Sequence, residues 1–219
     1  MSGLERELAL KGKRVSGTTR GGLDKVMWVD DTNEIWGSYG CQVDISAESM
    51  LAHLYELQTY DEALIHQNQN GDLPRTIKKN VGGSRSMHYF LGVHFPSSLT
   101  DRLFEIWFCW KKREHLGHTQ YVICISSQDD FDGEKIEKDQ AVNFVKGETV
   151  ACYIIDEISE NVCYLQRIQT VKINAAAIPK KVLNFPTKQE LGWADVLHDR
   201  YRRNTEVVNK EASVLWLRG

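Results

Sequence analysis

The chain of 219 residues contains no run of about 18 apolar residues, so the sequence offers no membrane-spanning helix. It carries no excess of basic charge. Its 27 Lys and Arg against 30 Asp and Glu leave a formal net charge of −3, whereas a dedicated nucleic-acid-binding domain is usually basic. The first residues, Met1 to Glu7, lack the apolar core of an export signal and the Met-Gly start of a myristoylation site. None of the five cysteines (Cys41, Cys109, Cys124, Cys152, Cys163) belongs to a C-x-x-C pair, and the count is odd. These features predict a cytoplasmic protein whose cysteines are reduced and mostly buried.

Signatures of catalysis are missing as well. No G-x-S-x-G elbow occurs, since Gly37-Ser38-Tyr39-Gly40 has the wrong spacing. No G-x-G-x-x-G or P-loop is present, and Gly82-Gly83-Ser84 reads as a strand-linking turn. His115 and His118 stand three apart in a turn without further ligands in reach of the sequence pattern. Asp129-Asp130-Phe131-Asp132-Gly133 is similar to a calcium loop. But Gln128 stands at the first position and Asp139 where the bidentate Glu belongs, so it reads as a solvated acidic turn. The expectation is no catalytic residue, no metal and no cofactor.

What the chain does have is globular composition, 42% apolar and 26% charged. A chain this long buries roughly 70–75% of its unfolded surface and needs no metal or disulfide to fold. Residues 1–10 allow one short amphipathic helix. Lys11 to Gly22, rich in Gly, Ser, Thr and basic residues, reads as a flexible arm. The prediction is therefore an arm over 1–22 and a single domain over 23–219. Val26–Val29 and Ile35–Ile45 read as strands around an Asp30-Asp31-Thr32-Asn33 turn. Ser46 caps a helix with Met50, Leu51, Leu54 and Leu57 on one face. A second helical stretch covers Asp61–His66, followed by a polar loop, Gln67 to Asp72. From Arg75 the period becomes two, giving strands over Arg75–Val81, Ser86–His94, Arg102–Lys112, Gln120–Ser126, Glu148–Ser159 and Asn161–Val171. The stretch Ala175 to Phe185 runs up to Pro186. Thr187-Lys188-Gln189-Glu190 then forms a capping box, opening a helix with Leu191, Ala194, Leu197, Tyr201 and Val208 in its stripe. This order predicts an α+β fold in which one antiparallel sheet curls around a long C-terminal helix.

Several stretches resemble a START lipid-binding domain, a helix-grip fold. Paired strands around Thr149–Tyr153 and Cys163–Ile168 lead to Ile178-Pro179-Lys180-Lys181 and Asn184, and then to the helix Leu191–Asn204. START domains close in a similar way. Pro96-Ser97-Ser98 through Phe104, Trp107 and Tyr121–Ser127 resemble the family's middle strands. Trp36 and Ser46–Leu57 resemble its opening. One departure is Asp101-Arg102, where many members carry Arg-Asp.

The resemblance implies an internal cavity between sheet and final helix that holds one lipid or sterol, without catalysis. Phe104, Ile106, Phe108 and Trp110 alternate onto one strand face and offer a wall; Met87, Tyr89 and Leu91 offer a second row; Leu197 and Tyr201 offer the helix wall. Arg167 or Arg102 would mark a polar end, because a charge in an apolar cavity needs a partner. Access would come through the final helix, eased by Gly192, or through the loops Ser127–Glu137 and Asn174–Pro186. The expected state is a monomer that meets membranes transiently and binds no nucleic acid. Two other readings stay open: an enzyme of the Bet v 1-like or cyclase-like branch of this fold, using Glu105, His88 or His94, and a ligand-free interaction module of a larger signalling protein.

Overall fold

Alternating apolar and polar residues build nine strands into one sheet. In the computed structural model, residues 15–19, 23–31, 34–58, 60–79, 85–95, 100–127, 144–172 and 180–201 are described. The strands are β1 (Val15–Thr19), β2 (Leu23–Val29), β3 (Ile35–Val43), β4 (Arg75–Lys79), β5 (Ser86–Val93), β6 (Arg102–His115), β7 (His118–Ser126), β8 (Val145–Ser159) and β9 (Val162–Lys172). Three helices accompany them: α1 (Ala47–Tyr55), α2 (Tyr60–Asn70) and α3 (Lys180–Tyr201). The spatial order is β1-β2-β3-β9-β8-β7-β6-β5-β4. Neighbours in this order are antiparallel, and the start of β6 also pairs in parallel with the start of β8, Arg102–Phe104 beside Val145–Gly147.

The sheet curls so that its inner face meets the helices. α3 packs chiefly on β3, α1 on β7, β8 and β9, and α2 on β5. Period two fixes which residues face in. One inward row runs Met87, Phe108, Ile125, Ala151, Gln169, Gly37, Met27 across seven strands. The next runs Trp110, Ile123, Tyr153, Arg167, Tyr39, Lys25. Ile123, Ile155 and Leu165 of this face are wholly buried, as is Met50 of α1.

Local chemistry accounts for the element ends. Ser46 caps α1, its hydroxyl accepting from the Ser49 N–H at 3.1 Å, as expected. The β6–β7 hairpin turns at Leu116 and Gly117, both at positive φ, the backbone a two-residue type I′ turn requires. His115 and His118 are thereby register partners. Among the described residues no group of three or more His, Cys, Asp or Glu side chains is placed to hold a metal.

Three elements depart from expectation. α2 extends through Gln67–Asn70, which the polar composition had suggested as loop. Its last turn is held from within: His66 Nε2–H donates to the Leu73 carbonyl at 2.9 Å, and its Nδ1 accepts from Asn70 Nδ2 at 3.2 Å. Gly71, at φ +60, then ends the helix with its N–H on the Gln67 carbonyl. α3 starts at Lys180, so the Thr187 box is not its cap; the helix runs through Pro186, which forgoes one backbone bond. Finally, β1 lies inside the segment expected to be a flexible arm and pairs with β2, Val15 opposite Met27. The expected helix over 1–10, the remainder of the arm, Gly82-Gly83-Ser84, the acidic turn, the loops 128–143 and 173–179, and Val208 lie outside the described residues.

Candidate functional site

Between the inner face of the sheet and the helices lies a cavity of about 320 Å³. Its sheet wall is built by alternation: Tyr89, Leu91 and Val93 from β5, Phe104, Ile106 and Phe108 from β6, Ile125 from β7, Tyr153 from β8 and Val171 from β9. Its helix wall comes from His53 and Leu54 of α1, Ile65, His66, Gln69 and Asn70 of α2, and Trp193 and Leu197 of α3. Leu57, beyond α1, closes one side.

The wall is mixed: the sheet side is mostly apolar and aromatic, while His53, Glu62, His66, Gln69, Asn70, His94, Thr149 and Arg167 bring polar groups to it. Arg167 lies between its register neighbours Tyr39 and Tyr153, and its guanidinium stands 4.8 Å over the Tyr153 ring. A cation over an aromatic face is attracted by the ring's quadrupole. Asn70 ties α2 to the sheet, its Oδ1 accepting from the His94 N–H at 3.0 Å. Deeper in the fold, Gln169 is buried between Gly37 and Ala151, and its side-chain amide makes no hydrogen bond among the described residues. Burial raises the Tyr89 hydroxyl against the lowering effect of nearby Arg75, so this phenol stays neutral and can donate.

Seven of the residues expected to line a cavity come together on it: Tyr89, Leu91, Phe104, Ile106, Phe108, Arg167 and Leu197. Three do not. Met87 faces inward but is wholly buried in the packed core. Trp110 stands one row further along, edge-on to Tyr55 and Tyr121 at 6.5 and 6.2 Å, with the Arg85 guanidinium above it. Tyr201 packs edge-on against His53 at 5.3 Å, so His53 rather than Tyr201 reaches the cavity. The α2 residues, Tyr39 and Trp193 were not anticipated. The His66 and Asn70 spacing of four was the signal for α2, one helical turn of polar groups on one face.

The other polar candidates lie elsewhere. Arg102 is buried, donates to the Thr100 carbonyl and stands 5.4 Å over the ring of Phe95, which lines the cavity, but Arg102 itself does not reach the cavity. His88 and Glu105 form a pair at 2.9 Å on the opposite face of the sheet, with His88 stacked on Trp107 at 4.4 Å. His94 borders the cavity and pairs with Asp101 at 2.9 Å. That hydrogen bond holds the Asp101 carboxyl below its usual range. The expectation of mostly buried cysteines is also corrected. Cys41 and Cys163 are buried, but Cys109 and Cys124 are exposed because they fall on the outward parity of β6 and β7.

Two bonds fasten the C-terminal half of α3 to the grip. Lys25 Nζ donates to Asp195 Oδ2 at 2.5 Å, and the Asp44 N–H donates to the Tyr201 carbonyl at 3.1 Å. His53 completes the second fastening. Burial, and then the positive charge of Arg200, lower its pKa from the usual 6.5. The unfolded chain therefore binds this proton more tightly, and stability is lost as pH falls from 6.5 through the lowered value. The expected result is that the thermal midpoint falls more steeply in the wild type than in His53→Gln between about pH 6.5 and pH 5. The size of the difference is a fraction of a kcal/mol, since the ring keeps solvent contact. Parallel pH curves would remove His53 from the clasp.

No protein-family profile and no curated protein sequence matches the chain. Solved structures do. Human StAR-related lipid transfer protein 5 superposes with a TM-score of 0.62 at 9% identity, over 91% of this chain and 94% of that one. A STAR-related lipid transfer protein from Xanthomonas axonopodis gives 0.59 at 11%, over 87% and 99%. Human STARD10 gives 0.59 at 10%, over 96% and 82%. At these identities the likeness concerns the fold, which is the helix-grip fold of START domains.

Proposed function

We propose that this chain, folded as a START-type helix grip, takes up one lipid or sterol molecule in its cavity and holds it without chemical change. The observation that carries the reading is the cavity whose sheet wall is apolar and aromatic and holds Arg167. Ligand pockets span roughly 300–1,000 Å³, are mainly apolar and aromatic, and fix orientation with a few polar groups. A volume of about 320 Å³ stands at the lower end of that range, so a sterol-sized ligand requires the walls to move apart. The structures it superposes on carry lipid transfer in their names. We take the protein to be a cytoplasmic monomer that meets membranes transiently. Among the described residues no helix is long and apolar enough to cross one.

Native mass spectrometry of the freshly purified protein, followed by solvent extraction, tests the reading. One retained apolar molecule per chain, or uptake of one from a lipid and sterol panel, is expected. A bare mass together with no uptake from the panel overturns it and favours an interaction module.

Of the two access routes, movement of α3 off the sheet is the one that a single substitution can test. A Cβ added at Gly192, within α3, meets no atom within 4 Å. Gly192→Ala should stabilise the protein by about 0.5–1 kcal/mol through helix propensity alone. It should also slow dissociation of bound lipid, measured by competition with unlabelled ligand. Greater stability with unchanged exchange would place the gate elsewhere.

A further inference from the structure

The outward face of the sheet carries three thiols in one line. Cys109 of β6 is the register partner of Cys124 of β7, and Cys124 is the register partner of Cys152 of β8. Cys109 and Cys124 are exposed and Cys152 is half-buried. Strands lie about 4.8 Å apart, so the outer two thiols are too far from each other to share one ion with Cys124. The line is thus built for pairwise sulfur chemistry.

Backbone geometry decides which pair is closer. A residue in an inner antiparallel strand faces one neighbour as a hydrogen-bonded pair and the other as a non-hydrogen-bonded pair. The Trp110 N–H donates to the Arg85 carbonyl at 3.0 Å on the β5 side, so the peptide groups of Cys109 face β7. Cys109–Cys124 is therefore the hydrogen-bonded pair, with Cα atoms about 5.5 Å apart, and Cys124–Cys152 is the close pair at about 4.5 Å. The Ser127 N–H donates to the Thr149 carbonyl on β8 at 2.8 Å, which gives Cys124, three residues earlier, the opposite direction. Both separations suit a disulfide, and side chains approach most closely in the second pair.

We propose that Cys124 and Cys152 form an oxidation site that reacts with low-molecular-weight disulfides such as oxidised glutathione and ends as a Cys124–Cys152 disulfide, with Cys109 a bystander in the same row. The exposed Cys124 thiolate attacks one sulfur of the small disulfide and expels one thiolate, leaving a mixed disulfide on Cys124. The Cys152 thiolate then attacks the Cys124 sulfur and expels the second. Two protein S–H bonds are lost and one S–S bond forms. The small disulfide is reduced to two thiols, which take up the two protons. Cys41 and Cys163 stay out of the reaction. They are buried, so a small disulfide cannot reach them from solvent.

The test incubates the reduced full chain with oxidised glutathione, blocks free thiols under denaturing conditions, and maps the peptides by mass. The wild type should lose two of its five thiols, carry no glutathione and yield one linked peptide pair, Cys124 with Cys152. Cys109→Ser should still form that link. Cys124→Ser, at an exposed position, should form no internal disulfide and keep glutathione as a stable adduct or remain unmodified. A wild-type map with no link, or with a link between any other pair, overturns the proposal whether or not the variants fold. So does an internal disulfide formed equally well in Cys124→Ser.

Discussion

Gly147→Ala is expected to destabilise the protein by about 1–3 kcal/mol and to weaken ligand uptake at the same time. Gly147 opens β8 beside Phe104 in the parallel pairing of β6 and β8. A Cβ built there would fall within 3.0 Å of three atoms of the Phe104 ring, a distance real Cβ atoms essentially never show. The ring is buried and is itself part of the cavity wall, so it has no free rotamer on the solvent side. Relief comes by moving the strand or by pushing the ring into the cavity. The first costs stability, and the second takes volume from a space that is already small. Denaturant midpoints and lipid-uptake assays on the same variant separate the two. If neither changes, Phe104 does not lie across Gly147.

Arg167→Met should weaken binding of a lipid that carries a hydroxyl or carbonyl by about tenfold to a hundredfold. That is the loss of a hydrogen bond to a charged group, worth about 1.5–3 kcal/mol. The same substitution should leave affinity for the corresponding hydrocarbon nearly unchanged, because Met preserves the apolar stem. The contrast between the two ligands is the decisive reading. A general loss of stability would weaken both, whereas loss of a polar anchor weakens one. Arg167 stands in the middle of the sheet, held over Tyr153, so the anchor would act from a fixed position rather than a mobile loop. Equal affinities for the polar ligand in both proteins would exclude Arg167 as anchor.

The sheet was legible because alternation over seven or more residues admits one backbone period. Phe104, Ile106 and Phe108 could be read inward together for that reason, and all three line the cavity. Alternation does not say where a wall stops. Trp110 continues the same parity and yet leaves the cavity, since Tyr55 and Tyr121 from other elements close over it. Helix ends were read less well. Thr187 to Glu190 carries a proper capping box, but local capping contributes only about 1 kcal/mol, and α3 begins upstream of it. α2 has no apolar stripe through Gln67–Asn70, so its last turn is specified by a His66–Asn70–Leu73 bonding pattern that no periodicity reveals. The line of thiols was invisible for the same reason: Cys109, Cys124 and Cys152 share a row only through register.

The pairing of β3 with β9 also governs how the chain must fold during synthesis. The Thr170 hydroxyl donates to the Ile35 carbonyl across 135 residues of chain, and Lys25 reaches Asp195 across 170. Contacts this remote carry a large loop-closure cost before they return any energy, so they form late and slow the overall rate. The β2–β3 hairpin leaves the ribosome early and waits for its partner with one edge unpaired. The meander from β4 to β9, whose neighbours are close in sequence, assembles first and then receives the hairpin. Chaperones that shield unpaired strand edges should therefore engage nascent chains ending before β9, and release those in which β9 has emerged.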